Sequence, residues 1–133
     1  MSDITRTVVV GKATTRQKKI YNLVAKAQKA GIRRVKAGVE AAKVDEACRK
    51  IITKAGYGKQ FGHGTGHGIG FLVHTGPRLS PLSQDKLKPN NVVTVEPGIY
   101  IDGWGGVRIE DDVLVTRTGG TVLNRAEKKL LEL

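Results

Sequence analysis

The sequence predicts an α+β fold in which helices pack on one face of a twisted antiparallel sheet. Three observations carry this. The first part of the chain holds two stretches with apolar residues at helical spacing. The second part holds "VVTVEPGIYI" and "GGVRIEDDVLVT", two β-prone runs separated by the turn "DGWGG". Between them lies "HGTGHGIGFLVH", residues 63–74, which contains all three histidines of the chain.

Taken in order, Ser2 to Val10 is rich in Thr and Val and reads as a strand ending at Gly11. Thr14 or Thr15 caps the helix that follows. Ile20, Leu23, Val24 and Ala27 form its apolar stripe, Gly31 weakens it, and Gly38 marks its end or the turn after it. The second helix carries Val44, Ala47, Cys48, Ile51, Ile52 and Ala55 on one face and stops at Gly56. The two downstream runs are expected to pair as antiparallel strands, and a short charged helix from Asn124 to Leu131 closes the chain. No linker, repeat or low-complexity tract divides residues 1–133, so a single domain is expected.

Composition narrows the function. The single cysteine, Cys48, cannot form an internal disulfide and falls among apolar positions, as a buried thiol would. No apolar run approaches the ~18 residues of a membrane span, and no signal peptide opens the chain. These features point to a soluble, cytoplasmic protein. The net charge of +11 is unevenly placed: residues 1–59 hold 15 Lys/Arg against 4 Asp/Glu, and residues 60–133 hold 8 of each. A run of this kind is commonly a solvated helix face, although it could attract nucleic acid. Only Tyr21 and Tyr57 offer stacking platforms there, which argues against single-strand binding.

The histidine stretch lacks both the G-x-G-x-x-G spacing of a dinucleotide loop and a Walker lysine. Alternate glycines make a helix across His63 and His67 unfavourable. In an extended chain their even spacing puts both imidazoles on one side, and His74 needs a turn or bulge to join them. Spacing alone leaves two readings open, a metal site and a glycine loop with surface histidines. The downstream runs add acids: Glu96 in "TVEPG", and Glu110, Asp111 and Asp112 in "RIEDDV". Three adjacent acids cannot all point outward, and a carboxylate buried alone is costly. Asp111 and Asp112 read as strand-end or salt-bridge residues, with Arg108 offsetting their charge. Trp104 reads as hairpin packing. Asp3, in "SDITRT", brings a third carboxylate, and carboxylates with one imidazole suit a hard divalent cation.

In this order, "SDITRT", "GHGTGHGIG", "TVEPGIYI" and "GGVRIEDDVLVT" resemble the signature of the pita-bread metallopeptidases, which include methionine aminopeptidase, aminopeptidase P, prolidase and creatinase. The wording is most similar to the Xaa-Pro peptidase branch. The resemblance implies half of a pita-bread fold and metal ligands at Asp3, His67, Glu96 and Glu110. It implies catalytic roles for His63 and His74, which would contact substrate and stabilise the developing oxyanion. Manganese is the expected ion, with cobalt or zinc as alternatives. The expected substrate is a peptide with proline in second position.

The resemblance also has gaps. The family pattern places a further aspartate ahead of Asp3, together with a preceding, pseudo-symmetric half of the domain. Thr75 stands where relatives often carry an acid. The chain is therefore expected to be the C-terminal half of a pita-bread domain, completed either by the missing N-terminal half or by a second copy in a homodimer. The expected activity is metal-dependent hydrolysis of Xaa-Pro bonds. The alternative is a trimmed or designed non-catalytic half-domain with partial or no metal binding, and a basic nucleic-acid-binding module ranks last.

Overall fold

The first helix, α1 (Thr15–Arg34), forms where the apolar stripe places it. Thr14 is its cap: the hydroxyl accepts the Gln17 amide, and the Gln17 side chain accepts the Thr14 N–H in return. Ile20, Tyr21, Val24, Ala27 and Gln28 face inward. Gly31 lies inside the helix rather than ending it, because a Cβ there would collide with Cys48 of the second helix, α2 (Ala41–Lys54). The two helices thus cross closely, with Cys48 fully buried between them and its thiol donating to the Ala27 carbonyl. Burial pushes that thiol up to about 12, so it is inert at physiological pH. The turn at Gly38 separates the helices.

The computed structural model describes residues 1–133. After α2 and a single 3₁₀ turn (Gly58–Gln60) come seven short strands. They are β1 (Gly66–Gly68), β2 (Thr75–Leu79), β3 (Val92–Val95), β4 (Gly98–Ile101), β5 (Gly105–Arg108), β6 (Asp111–Val115) and β7 (Gly120–Val122). Five form an antiparallel sheet in the order β2-β1-β3-β6-β7, and β4 and β5 form a separate two-stranded hairpin. The helices pack on this framework over a core that includes Val93, Val95, Ile99, Val113 and Val115.

The two long β-prone runs pair as expected, but not continuously. Val95 lies opposite Asp111 in the large sheet and Gly98 opposite Arg108 in the hairpin, so pairing lapses at Glu96–Pro97 and Ile109–Glu110. Pro97 has no N–H to give a ladder. The freed backbone finds other partners: the Glu96 N–H donates to the Thr65 carbonyl at 2.7 Å, and that of Glu110 to Thr5 at 3.1 Å. Both glutamates therefore stand where one strand pair hands over to another.

Two expectations are corrected. Ser2–Val10 is not a regular strand; it makes two isolated bridges, Thr5 with Glu110 beside the sheet and Val9 with Glu132 of the C-terminal segment. Backbone bonds hold it only at Thr5, to Glu110, and at Val9–Gly11, to Leu131 and Leu133; side chains anchor the rest. Arg6 donates to the Glu110 and Ala126 carbonyls and to Asp111, and Thr7 donates to the Arg108 carbonyl. Nor do residues 124–131 form a helix. So short a segment cannot easily repay helix nucleation, and its carbonyls are claimed elsewhere. Arg6 takes those of Ala126 and Glu127, Tyr21 that of Lys128, and Val9 that of Leu131.

Candidate functional site

The glycines of the histidine stretch are explained by packing. A Cβ on Gly66 would overlap the Thr94 carbonyl, and one on Gly68 would overlap the Gly76 carbonyl. Only glycine lets β1 lie this close to β2 and β3. His67 sits between them, and its N–H donates to the Thr94 hydroxyl at 3.0 Å. That hydroxyl in turn donates to Glu96 Oε1 at 3.0 Å. Thr94 thus sets the positions of both His67 and Glu96, whose Oε1 lies 3.1 Å from His67 Nε2.

Asp3 and Glu110 complete the group. Asp3 Oδ2 is 3.7 Å from His67 Nε2. One potential ligand atom from each of Asp3, His67 and Glu110 lies within 4.8 Å of the other two. Asp3 is held through its N–H, which donates to Asp112 Oδ2 at 3.1 Å; the Ser2 hydroxyl donates to the same oxygen. Glu110 is buried and accepts from the Thr5 hydroxyl at 2.5 Å. Burial, then the negative charges of Glu96 and Asp3, push its carboxyl up to about 7 against the opposing pull of Thr5 and Arg108. An acid destabilised by its neighbours in this way is one that a cation would relieve. Three carboxylates and one imidazole, converging with so little intrinsic counter-charge, match the oxygen-rich donor set of a divalent metal.

The two other histidines line the same open groove, of about 240 Å³, with His67, Glu96 and Arg108. His63 Nε2 lies 2.9 Å from the Tyr100 hydroxyl and its Nδ1 lies 2.7 Å from the Gly64 carbonyl. A clamp from α2 fixes the chain on either side. Asp45 accepts the Thr65 N–H and hydroxyl at 3.0 Å each, and pairs with Arg49, which donates to the Phe61 and His63 carbonyls. The Arg49 guanidinium also stacks over Phe61, whose ring meets His63 edge-on. His74 returns to the site through the loop after β1, where the β1–β2 register shifts at His67/Gly68. Its ring centroid lies 4.3 Å from that of His67. The turn and the bulge that its odd spacing demands are both present.

Asp111 meets the expectation of a strand-end, salt-bridged acid at the start of β6, but its partners differ. Asp111 and Asp112 are buried, but Arg108 does not offset them. It approaches Glu110 at 3.9 Å and donates to the Thr5 hydroxyl. Asp111 is instead paired with Arg6 at 2.7 Å and Lys128 at 2.6 Å. Trp104 packs in the β4–β5 hairpin turn as expected, with Arg16 over its ring.

Against known proteins, residues 1–117 match the family described as metallopeptidase family M24. This chain belongs to that family. It is 46% identical over 130 residues to the Xaa-Pro dipeptidase of Pyrococcus horikoshii, covering 98% of this chain and 37% of that protein. The solved structure of an Xaa-Pro dipeptidase from Bacillus anthracis superposes with a TM-score of 0.97 at 50% identity, over 99% of this chain and 37% of the other. An X-Pro aminopeptidase from Thermotoga maritima gives a TM-score of 0.96 at 39% identity, over 99% and 38% of the two chains. The M24 chain thus has the α+β architecture of half a pita-bread fold and spans 37% of the first of these relatives. None of its helices is long and apolar enough to cross a membrane.

Five contributors to this M24 site were not read from the sequence. Thr94 precedes Glu96 by two positions, so strand alternation could have put both on one face. Asp45 and Arg49 are spaced as a helix ion pair, but nothing local says that they grip residues 61–65. Tyr100 and Thr5 carry no local signal, because each meets its partner only through the fold.

Proposed function

We propose that this chain is the metal-binding wall of an Xaa-Pro-type peptidase, the C-terminal half of a pita-bread catalytic domain. The observation that carries it is the convergence of Asp3, His67 and Glu110 within 4.8 Å, with Glu96 beside His67. These four residues would hold the metal, and manganese suits their oxygen-rich donor set. The metal would supply Lewis-acid chemistry, polarising a peptide carbonyl and acidifying water at neutral pH. The remaining work belongs to side chains. His63, braced by Tyr100 and the Gly64 carbonyl, and His74, beside His67, face the groove where a peptide carbonyl would develop negative charge. Glu96 opens onto the same groove and would pass a proton to the leaving amine. A peptide with proline in second position is the substrate, by analogy with the dipeptidases that the chain resembles.

The partner completing the site is a second copy of this chain or a preceding half-domain. Ser2–Val10 is bridged only at Thr5, to Glu110, and at Val9, to the C-terminal segment, and Ile4, Val8 and Val10 are exposed along it, a part-open edge suited to pairing. The test is manganese-dependent hydrolysis of an Xaa-Pro dipeptide at high protein concentration. Turnover that His67→Ala abolishes supports the reading. No turnover with manganese, cobalt or zinc contradicts completion by a second copy and leaves a preceding half-domain or the non-catalytic half-domain.

A further inference from the structure

Away from the metal-ligand cluster, the face of α1 is charged with one sign only. Its 20 residues include Lys18, Lys19, Lys26, Lys29, Arg33 and Arg34 and no acid. At 100° per residue, positions 18, 19, 26, 29 and 33 fall on one stripe, roughly 22 Å long at 1.5 Å per residue. All five are exposed. Only Lys18 is neutralised, by Glu132 at 3.1 Å; Lys19, Lys26, Lys29 and Arg33 have no acidic partner. A row of unpaired like charges on one helix repels itself and gains from an anionic partner.

Beside this stripe runs an open groove of about 430 Å³. Its floor is apolar, made by Ala25, Ile32 and Val122 over the buried Ile109, and its rim is Gln28, Lys29, Arg33 and Lys128, the last paired with Asp111. Past Ala25 and Lys128 it continues into a second hollow of about 620 Å³, lined in part by Lys129, Leu130 and Leu131. The nearby Glu127 carboxylate is turned onto its own chain, accepting the Lys128 and Lys129 N–H groups, and does not screen the rim. The groove shares no lining residue with the histidine site.

The combination specifies an occupant. Bare cations suit any polyanion, and a nucleic acid would use the stripe but leave the apolar floor unfilled, since Tyr21, the one aromatic side chain lining the second hollow, is buried and offers no stacking surface. An acidic amphipathic segment uses both: its carboxylates meet Lys29, Arg33 and the lysines of the stripe, and its aliphatic side chains cover Ala25, Ile32 and Val122. We propose that this groove docks an acidic, leucine-bearing peptide segment of a partner protein.

The probe is a short fluorescein-labelled peptide with leucines at helical spacing and glutamates between them, titrated with the whole chain and read by fluorescence anisotropy. Saturable binding that weakens with added salt is expected. The double variant Lys29→Glu/Arg33→Glu should bind about tenfold less tightly or worse. Lys54→Glu/Lys59→Glu makes the same charge change away from the groove and should bind as wild type does; circular dichroism checks that both variants fold. A probe with serine in place of leucine should also lose affinity. Equal binding by all three proteins overturns the proposal. So does a serine probe, duplex DNA or an anionic vesicle that binds as tightly as the leucine probe, since any of these makes the face a plain polyanion surface.

Discussion

At the scale of single residues, two substitutions separate packing from charge. Gly66→Ala places a methyl group against the Thr94 backbone, which cannot move aside without disturbing β3. It should cost about 1–3 kcal/mol, read as a lower melting temperature, whereas Gly70→Ala meets nothing within 4 Å and should not. Asp111 tests charge. Burial alone would raise its carboxyl, but hydrogen bonds from Lys128, Arg6 and Gln28 outweigh burial and hold it below its ordinary value. A carboxyl lowered in the folded state stabilises the fold above its unfolded value. That contribution disappears as pH falls through the folded value. Asp111→Asn should therefore destabilise the chain at neutral pH by about 3 kcal/mol. The gap from wild type should close in acid, as measured by urea unfolding from pH 7 downward. A gap that stays constant with pH would contradict the charge assignment.

At the scale of elements, the α2 clamp makes a local prediction. Asp45→Ala removes the acceptor of the Thr65 N–H and the partner of Arg49, and so frees the chain around His63. Amide hydrogen exchange should quicken across residues 61–65 while β3 and β6 keep their protection. Uniform loss of protection would show instead that Asp45 supports the whole fold. Elements also differ in how far sequence discloses them. Both helices were legible because an amphipathic helix buries a stripe that its own spacing encodes, and Thr14 announces its start. β1 and β2 were not, because "GHG" and "TGPRL" have little β propensity and pair only through the close contacts that glycine allows. Ser2–Val10 misled in the opposite sense: its Thr/Val content suits a strand, but a strand needs a neighbour, and side-chain anchors such as Arg6 replace the ladder. The acids were legible as a group, since RIEDDV could not face outward entirely. Which cation answers which acid depended on Arg6 and Lys128, far away in the chain.

At the scale of the whole molecule, the proposed ligand residues arrive from four separate places. Asp3 comes from the N-terminal segment, His67 from β1, Glu96 from just after β3 and Glu110 from just before β6. Such a group forms only when the sheet is complete, so metal affinity and folding should rise and fall together. The part-open edge of Ser2–Val10 predicts association, seen as a dimer by light scattering at micromolar concentration; a clean monomer would leave the site to be completed by a preceding half-domain. The most direct measurement is metal stoichiometry, by elemental analysis of chain loaded with manganese and then desalted. The account predicts at least one ion retained per chain, lost in His67→Ala with the fold intact. Retention of none, or equal retention by the variant, would contradict the metal-binding site.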